Sequence, residues 1–185
     1  MDLSKIENLI PDYARDLKLN LSSVLTPEGA PGLNEQQIFA TAVAASIASR
    51  NETLLTEIEA LAAEHLDAAH LQAAKAAACI MGMNNVYYRF THLVGNDEYA
   101  KLPAKLRMSV LGNPGIGKTD FELYSLVVSA VNGCGACMAA HERVVRGAGL
   151  SAEGVQSAVR IGAVIHGIAV ALEAGPHESL GRRAA

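Results

Sequence analysis

Alanine limits what this chain can become more than any other residue. Half of the 185 residues are apolar, yet only 4% are aromatic and Trp is absent. Alanine supplies much of that apolar fraction, in stretches such as Phe39 to Ala48 (FATAVAASIA) and Ala76-Ala77-Ala78. It loses no side-chain entropy in a helix and crowds no neighbour, so it favours α-helix and lets helices pack closely. Periodicity agrees: Ile6, Leu9, Ile10, Tyr13 and Leu17 sit at helical spacing within 4–18. Further helices are predicted over 35–49, 52–65, 68–92, 120–131, 134–147 and 151–173. Gly and Pro break the pattern at Thr26 to Gly32 and at Gly112 to Gly117. Gly147-Ala148-Gly149 ends one helix, and Ser151 is a good N-cap for the next. The polar tail from Gly175 is expected to be loose. No alternating strand pattern stands out. The expected fold is all-α.

Length suits one domain or two fused small ones. Weak internal similarity favours one body made of two related halves. Phe39 to Ala48 resembles Phe121 to Ala130 (FELYSLVVSA), and Leu66 with Leu71-Gln72 resembles Leu150 with Val155-Gln156. A two-residue insertion between the blocks reconciles the two offsets. The expectation is a single compact domain over 1–185, with helical halves at 35–92 and 119–173. The first half carries Glu52 and Leu55 where the second carries Cys134 and Cys137.

The net charge of −4 and the scattered basic residues, adjacent only at Arg182-Arg183, exclude a phosphate-binding surface. Nucleic acid is not an expected partner. The first residues lack a basic segment leading into an apolar stretch, so no secretory signal is visible and a cytoplasmic location is expected. The longest strongly apolar run, Ile161 to Leu172, is interrupted by His166 and is shorter than the roughly 20 residues a span needs. No membrane partner is expected. The positive mean hydropathy then points to apolar surface covered by subunit contacts.

Three cysteines, an odd number, argue against a structural disulfide framework. Cys134-Gly135-Ala136-Cys137 is a close CxxC that opens a helix just after Asn132-Gly133. Free N–H groups and the helix dipole favour negative charge there, which lowers a thiol pKa. One turn is 3.6 residues, so positions 134, 137 and 141 share a face and His141 can reach the Cys137 sulfur. An imidazole there can take the thiol proton. Gly133 and Gly135 would leave the sulfurs uncovered. A zinc site completed by Cys79 and His141, or a pair of inert buried thiols, are the competing readings. Cys79, among alanines, reads as a small buried hydrophobe.

Glu122 lies in Thr119-Asp120-Phe121-Glu122, which fits a capping box, and with Ser125 and Ser129 it forms a thin polar stripe. Cap or solvated face is the plain reading; a polar pocket is the other. His65, His70, His92 and His177 read as surface residues, His166 as a hydrogen-bonded core histidine, and Glu142 as part of a solvated face. Gly112 to Thr119 matches GxxxxGK[ST] literally, but a phosphate loop follows a buried strand. The preceding 102–111 is short and expected to be helical.

Glu122 twelve residues before the CxxC, with His141 four residues after Cys137, resembles the alkylhydroperoxidase D (AhpD) group of the carboxymuconolactone-decarboxylase-like superfamily. The flanking Val-Asn-Gly-Cys and Ala-His-Glu are similar too, and length and helical layout agree over nearly the whole chain. The resemblance implies a peroxidase that reduces organic hydroperoxides weakly itself. It also implies relay of electrons to a partner peroxiredoxin of the AhpC type from dihydrolipoyl groups, commonly as a homotrimer. No cofactor is implied beyond a redox-active Cys134–Cys137 disulfide. Carried over, Glu122 and His141 form a proton relay activating Cys137, and Cys134 is its disulfide partner. Being at the very start of the helix, Cys134 is the expected point of contact with the reductant. Some members carry a His inside the CxxC, where this chain has Ala136. The decarboxylases of the superfamily need no CxxC, and a redox sensor would use the same disulfide without turnover.

Overall fold

A computed structural model describes residues 1–175. The loose tail expected beyond Gly175 and the surface position expected for His177 lie outside the described residues. Among those residues the chain forms helices and no strand. They are α1 (Ser4–Leu9), α2 (Arg15–Val24), α3 (Glu35–Ser49), α4 (Glu52–Ala62), α5 (Ala68–Leu93), α6 (Glu98–Lys101), α7 (Lys118–Val131), α8 (Gly135–Gly147) and α9 (Ala152–Ala174).

Side chains at the helix starts set most of these boundaries. Asn34 accepts from the Gln37 N–H while the Gln37 side chain accepts from the Asn34 N–H, a reciprocal cap that opens α3. Asn51, Asp67 and Ser151 cap α4, α5 and α9 in the simpler way.

Two predicted helices fail at prolines. The single helix expected over 4–18 is split, because Pro11 pushes Ile10 to an extended ψ of 120°. The chain restarts through a 3-10 turn at Asp12–Ala14, and α2 then runs on to Val24. The helix expected over 102–111 is also absent. Pro103 holds Leu102 extended, Lys105 sits at φ +52°, and only a 3-10 turn at Ser109–Leu111 remains. The phosphate-loop look-alike therefore follows an irregular segment and no strand.

Two helices occupy the centre. In α3 every residue from Gln37 to Ser46 is buried, and in α7 every residue from Phe121 to Ser129 is buried. Helices covered on all sides show no single apolar stripe. Around this pair stand α4, α5, α8 and α9, with α2 covering part of α9. Alanines 40, 42, 44 and 45 let α3 approach its neighbours, while Phe121, Leu123, Tyr124, Ile161, Ile165 and Ile168 fill the remaining space. Gly162 allows the closest approach: a Cβ there would lie 2.5 Å from Val127 Cγ1 on α7.

At 23 residues, α9 is long and apolar enough to cross a membrane by length and composition alone. The shorter run read from the sequence did not show this. The helix is nevertheless spent on the interior, with Ile161, Ile165 and Ile168 fully buried.

Candidate active site

The thiol pair is placed by a turn between α7 and α8. Asn132 closes α7, and Gly133 follows at φ +70°, a region that glycine enters without a steric penalty. Cys134 is then the N-cap of α8, and the Cys137 N–H donates to its sulfur at 3.4 Å. Cys134 and Cys137 are joined in a disulfide, with Cα atoms 5.3 Å apart. Once the bond is reduced, the same N–H and the helix N-terminus favour a thiolate over a thiol.

One turn further along α8, His141 points back to α7. Its Nδ1 lies 2.6 Å from Glu122 Oε2, and its Nε2 lies 3.2 Å from Met81 Sδ on α5. Glu122 caps nothing: Gly117 stands at the N-cap of α7, and the helix begins early enough to turn Glu122 inward. The cap and solvated-face reading of Glu122 is thus corrected, since the residue is 8% exposed and bonded to the imidazole. Ser125 and Ser129 are buried with it, and Ser129 Oγ accepts from Asn85 Nδ2 at 2.8 Å. A carboxylate can only accept, so the bond to Glu122 puts a proton on Nδ1 and, in the neutral ring, leaves Nε2 unprotonated.

Cys137, Ala140 and His141 open onto a cavity of about 230 Å³. Its opposite wall comes from Met81, Asn84 and Tyr88 on α5 and from Met108 and Leu111 in the irregular segment. Sequence reasoning missed this wall entirely. Its only trace there is the spacing of 81, 84 and 88 along one helical face.

Comparison with known proteins reaches the same region. The profile of the carboxymuconolactone decarboxylase family matches residues 97–175, which contain Glu122, Cys134, Cys137 and His141 but not the α5 wall. An alkyl hydroperoxide reductase AhpD of Rhodospirillum centenum is 56% identical over 174 residues, 94% of this chain and 92% of that protein. One from Azorhizobium caulinodans is 56% identical over 94% of both chains, and one from Brucella anthropi is 52% identical over 96% of this chain and 100% of its own. The chain belongs to the AhpD family.

The sulfurs are less accessible than Gly133 and Gly135 suggested. Cys134 is fully buried and Cys137 is 6% exposed, so the second cysteine, and not the first, is the one that opens to the outside. Ala136, the departure from members with a His inside the CxxC, lies in the cavity wall. Cys79 is exposed rather than buried, and no group of three or more His, Cys, Asp or Glu converges as a metal would require among the described residues. The zinc reading loses its third ligand. His166 is exposed, with Nδ1 3.2 Å from Ser49 Oγ, and is not a core histidine. His92 and Glu142 are exposed as expected. His65 and His70 are half-buried, against Glu35 and Asp67.

Proposed function

We propose that this AhpD-family chain is a thiol-dependent alkyl hydroperoxide reductase working through Cys134 and Cys137. One observation carries the reading: Cys137 and His141 share the wall of a single apolar cavity, with Glu122 bonded behind the imidazole and Cys134 joined to Cys137. The name shared by its relatives, alkyl hydroperoxide reductase AhpD, supports the same reaction class.

In the reduced protein, His141 Nε2 takes the Cys137 thiol proton while Glu122 holds Nδ1. The thiolate attacks the terminal oxygen of the hydroperoxide; an S–O bond forms and the O–O bond breaks. The departing alkoxide takes the proton back from His141 and leaves as the alcohol. Cys134 then attacks the Cys137 sulfenic acid, the disulfide forms, and water carries away the hydroxyl and the Cys134 proton. An incoming dithiol restores both thiols by exchange.

A slender dithiol suits a buried disulfide at the foot of an apolar cavity, which supports a dihydrolipoyl-bearing protein as donor. A peroxiredoxin of the AhpC type is the acceptor when electrons are passed on, in the cytoplasm. A homotrimer is supported by the exposed apolar face of α5, where Val86, Phe90 and Leu93 recur at helical spacing. Decarboxylation makes no use of a thiol pair. Steady-state assay with dihydrolipoamide and cumene hydroperoxide tests the reading. Many alcohols formed per protein molecule are expected; one oxidation event followed by arrest would instead make the disulfide a sensor.

A further inference from the structure

Two neighbouring asparagines on α5 face different fates. Asn85 is fully engaged: its Nδ2 donates to Ser129 Oγ at 2.8 Å and its Oδ1 accepts from Asn132 Nδ2 at 3.0 Å. Asn84 is just as buried, at 4% exposure, yet no hydrogen bond to its amide exists among the described residues, and its Oδ1 is wholly enclosed without a partner. A buried amide left unpaired is destabilising, because it has lost water and gained nothing. Packing alone would be better served by Leu or Met at this place.

The amide lies in the wall of the cavity that holds Cys137 and His141. The rest of the wall offers little competition for a polar ligand. Met81, Met108 and Leu111 are apolar, and the Tyr88 hydroxyl is turned to the Met108 sulfur at 3.9 Å. His141 is held at both ring nitrogens, by Glu122 at Nδ1 and against Met81 Sδ at Nε2. An apolar pocket with one uncommitted polar group is the usual form of a site that orients a ligand by a single polar end.

We infer that Asn84 binds the hydroperoxide group of the substrate and aims it at Cys137. This rests on the peroxidase reading above and adds a substrate-binding residue to it. The Asn84 Nδ2 donates to the hydroperoxide oxygens, while an alkyl or aryl tail lies against the methionines and Leu111. Asn84 moves no proton and forms no bond. It fixes the terminal oxygen in line with the sulfur, and the thiolate, His141 and Cys134 carry out the steps already described. The ligand class is an organic hydroperoxide with an apolar tail, in preference to hydrogen peroxide, which cannot fill the apolar wall.

Asn84→Leu, similar in volume and without the amide, tests the assignment. The reduced protein is mixed with cumene hydroperoxide and the second-order rate of Cys137 oxidation is measured. Alkylation of Cys137 by iodoacetamide, which needs the thiolate but no hydroperoxide, and the Tm are measured on the same samples. Oxidation is expected to slow about tenfold, the effect of one lost hydrogen bond. Alkylation should stay within about twofold, and the Tm should equal or exceed that of the parent, because an unpaired buried amide has been removed. Oxidation at the parental rate overturns the assignment. So does a lowered Tm with oxidation and alkylation falling together, which would make Asn84 a structural residue. A parent protein that leaves cumene hydroperoxide untouched overturns the peroxidase reading and this inference with it; a reactive parent with an equally reactive variant overturns only the inference.

Discussion

At the scale of single residues, the proposed mechanism asks Glu122 and His141 to bring the chemistry to the sulfur. The short bond between them, 2.6 Å, fixes the tautomer of the ring. Replacing Glu122 by Gln keeps an acceptor for Nδ1–H but removes the charge that stabilises an imidazolium. Peroxide turnover should fall about a hundredfold, the lower end of what a positioned base contributes, while the Tm stays within a few degrees of the parent, because Glu122 caps no helix. Unchanged turnover would remove Glu122 from the relay. The sequence showed the spacing of Cys134, Cys137 and His141 but not the environment of Glu122. A capping box is a local pattern, and whether a residue lies in the first turn or faces inward depends on where the helix starts. Here Gly117 sets that start. Asn84 was harder still to see, since adjacent asparagines on one helix look alike until α7 and α8 are packed against them.

At the scale of elements, the helix starts are coupled. Asp67 caps α5, and its carboxyl is held below the ordinary carboxylate range by the His70 backbone N–H first and the His70 side chain second. A lowered pKa means that the contribution to stability is present above the ordinary Asp range and is lost as pH falls through the lowered value. Asp67→Ala should therefore reduce the urea midpoint at neutral pH, and the gap to the parent should narrow as pH drops below about 4. A gap constant with pH would contradict the cap. Where α7 meets α9, Gly162→Val forces a stiff side chain into space already occupied by Val127. A loss of about 1–3 kcal/mol in denaturant unfolding is expected; a neutral result would mean the two helices can separate without cost.

Helix number and limits were mostly legible, because caps such as Ser151 are written locally. The failures fall at Pro11 and Pro103, where one residue outweighs a good apolar period. The lengths of α3, α4 and α5, at 15, 11 and 26 residues, run in the same order as those of α7, α8 and α9, at 14, 13 and 23. The expected repeat pairs Phe39 in α3 with Phe121 in α7, and both are buried. On that pairing the second succession alone carries the thiols, and its partner supplies α5, the other wall of their cavity.

At the scale of the molecule, apolar surface left over by folding points to assembly. Phe90 is 48% exposed and Leu93 is 70% exposed on the α5 face that Val86 continues. On the trimer proposal the parent is expected to sediment well above its 19.4 kDa chain mass and Phe90→Lys as a monomer. Sedimentation velocity on both proteins checks this, and a parent that already runs as a monomer would remove the trimer from the account. Such a surface was visible from the sequence only as an excess of hydropathy, with no indication of which helix bears it.

The central claim is that Cys134 and Cys137 are a working redox pair. Reduced protein is given one equivalent of cumene hydroperoxide, then alkylated and mapped by mass spectrometry. The account predicts that Cys134 and Cys137 lose their labels together, joined to each other, while Cys79 stays labelled. Three labelled cysteines after that dose would contradict it.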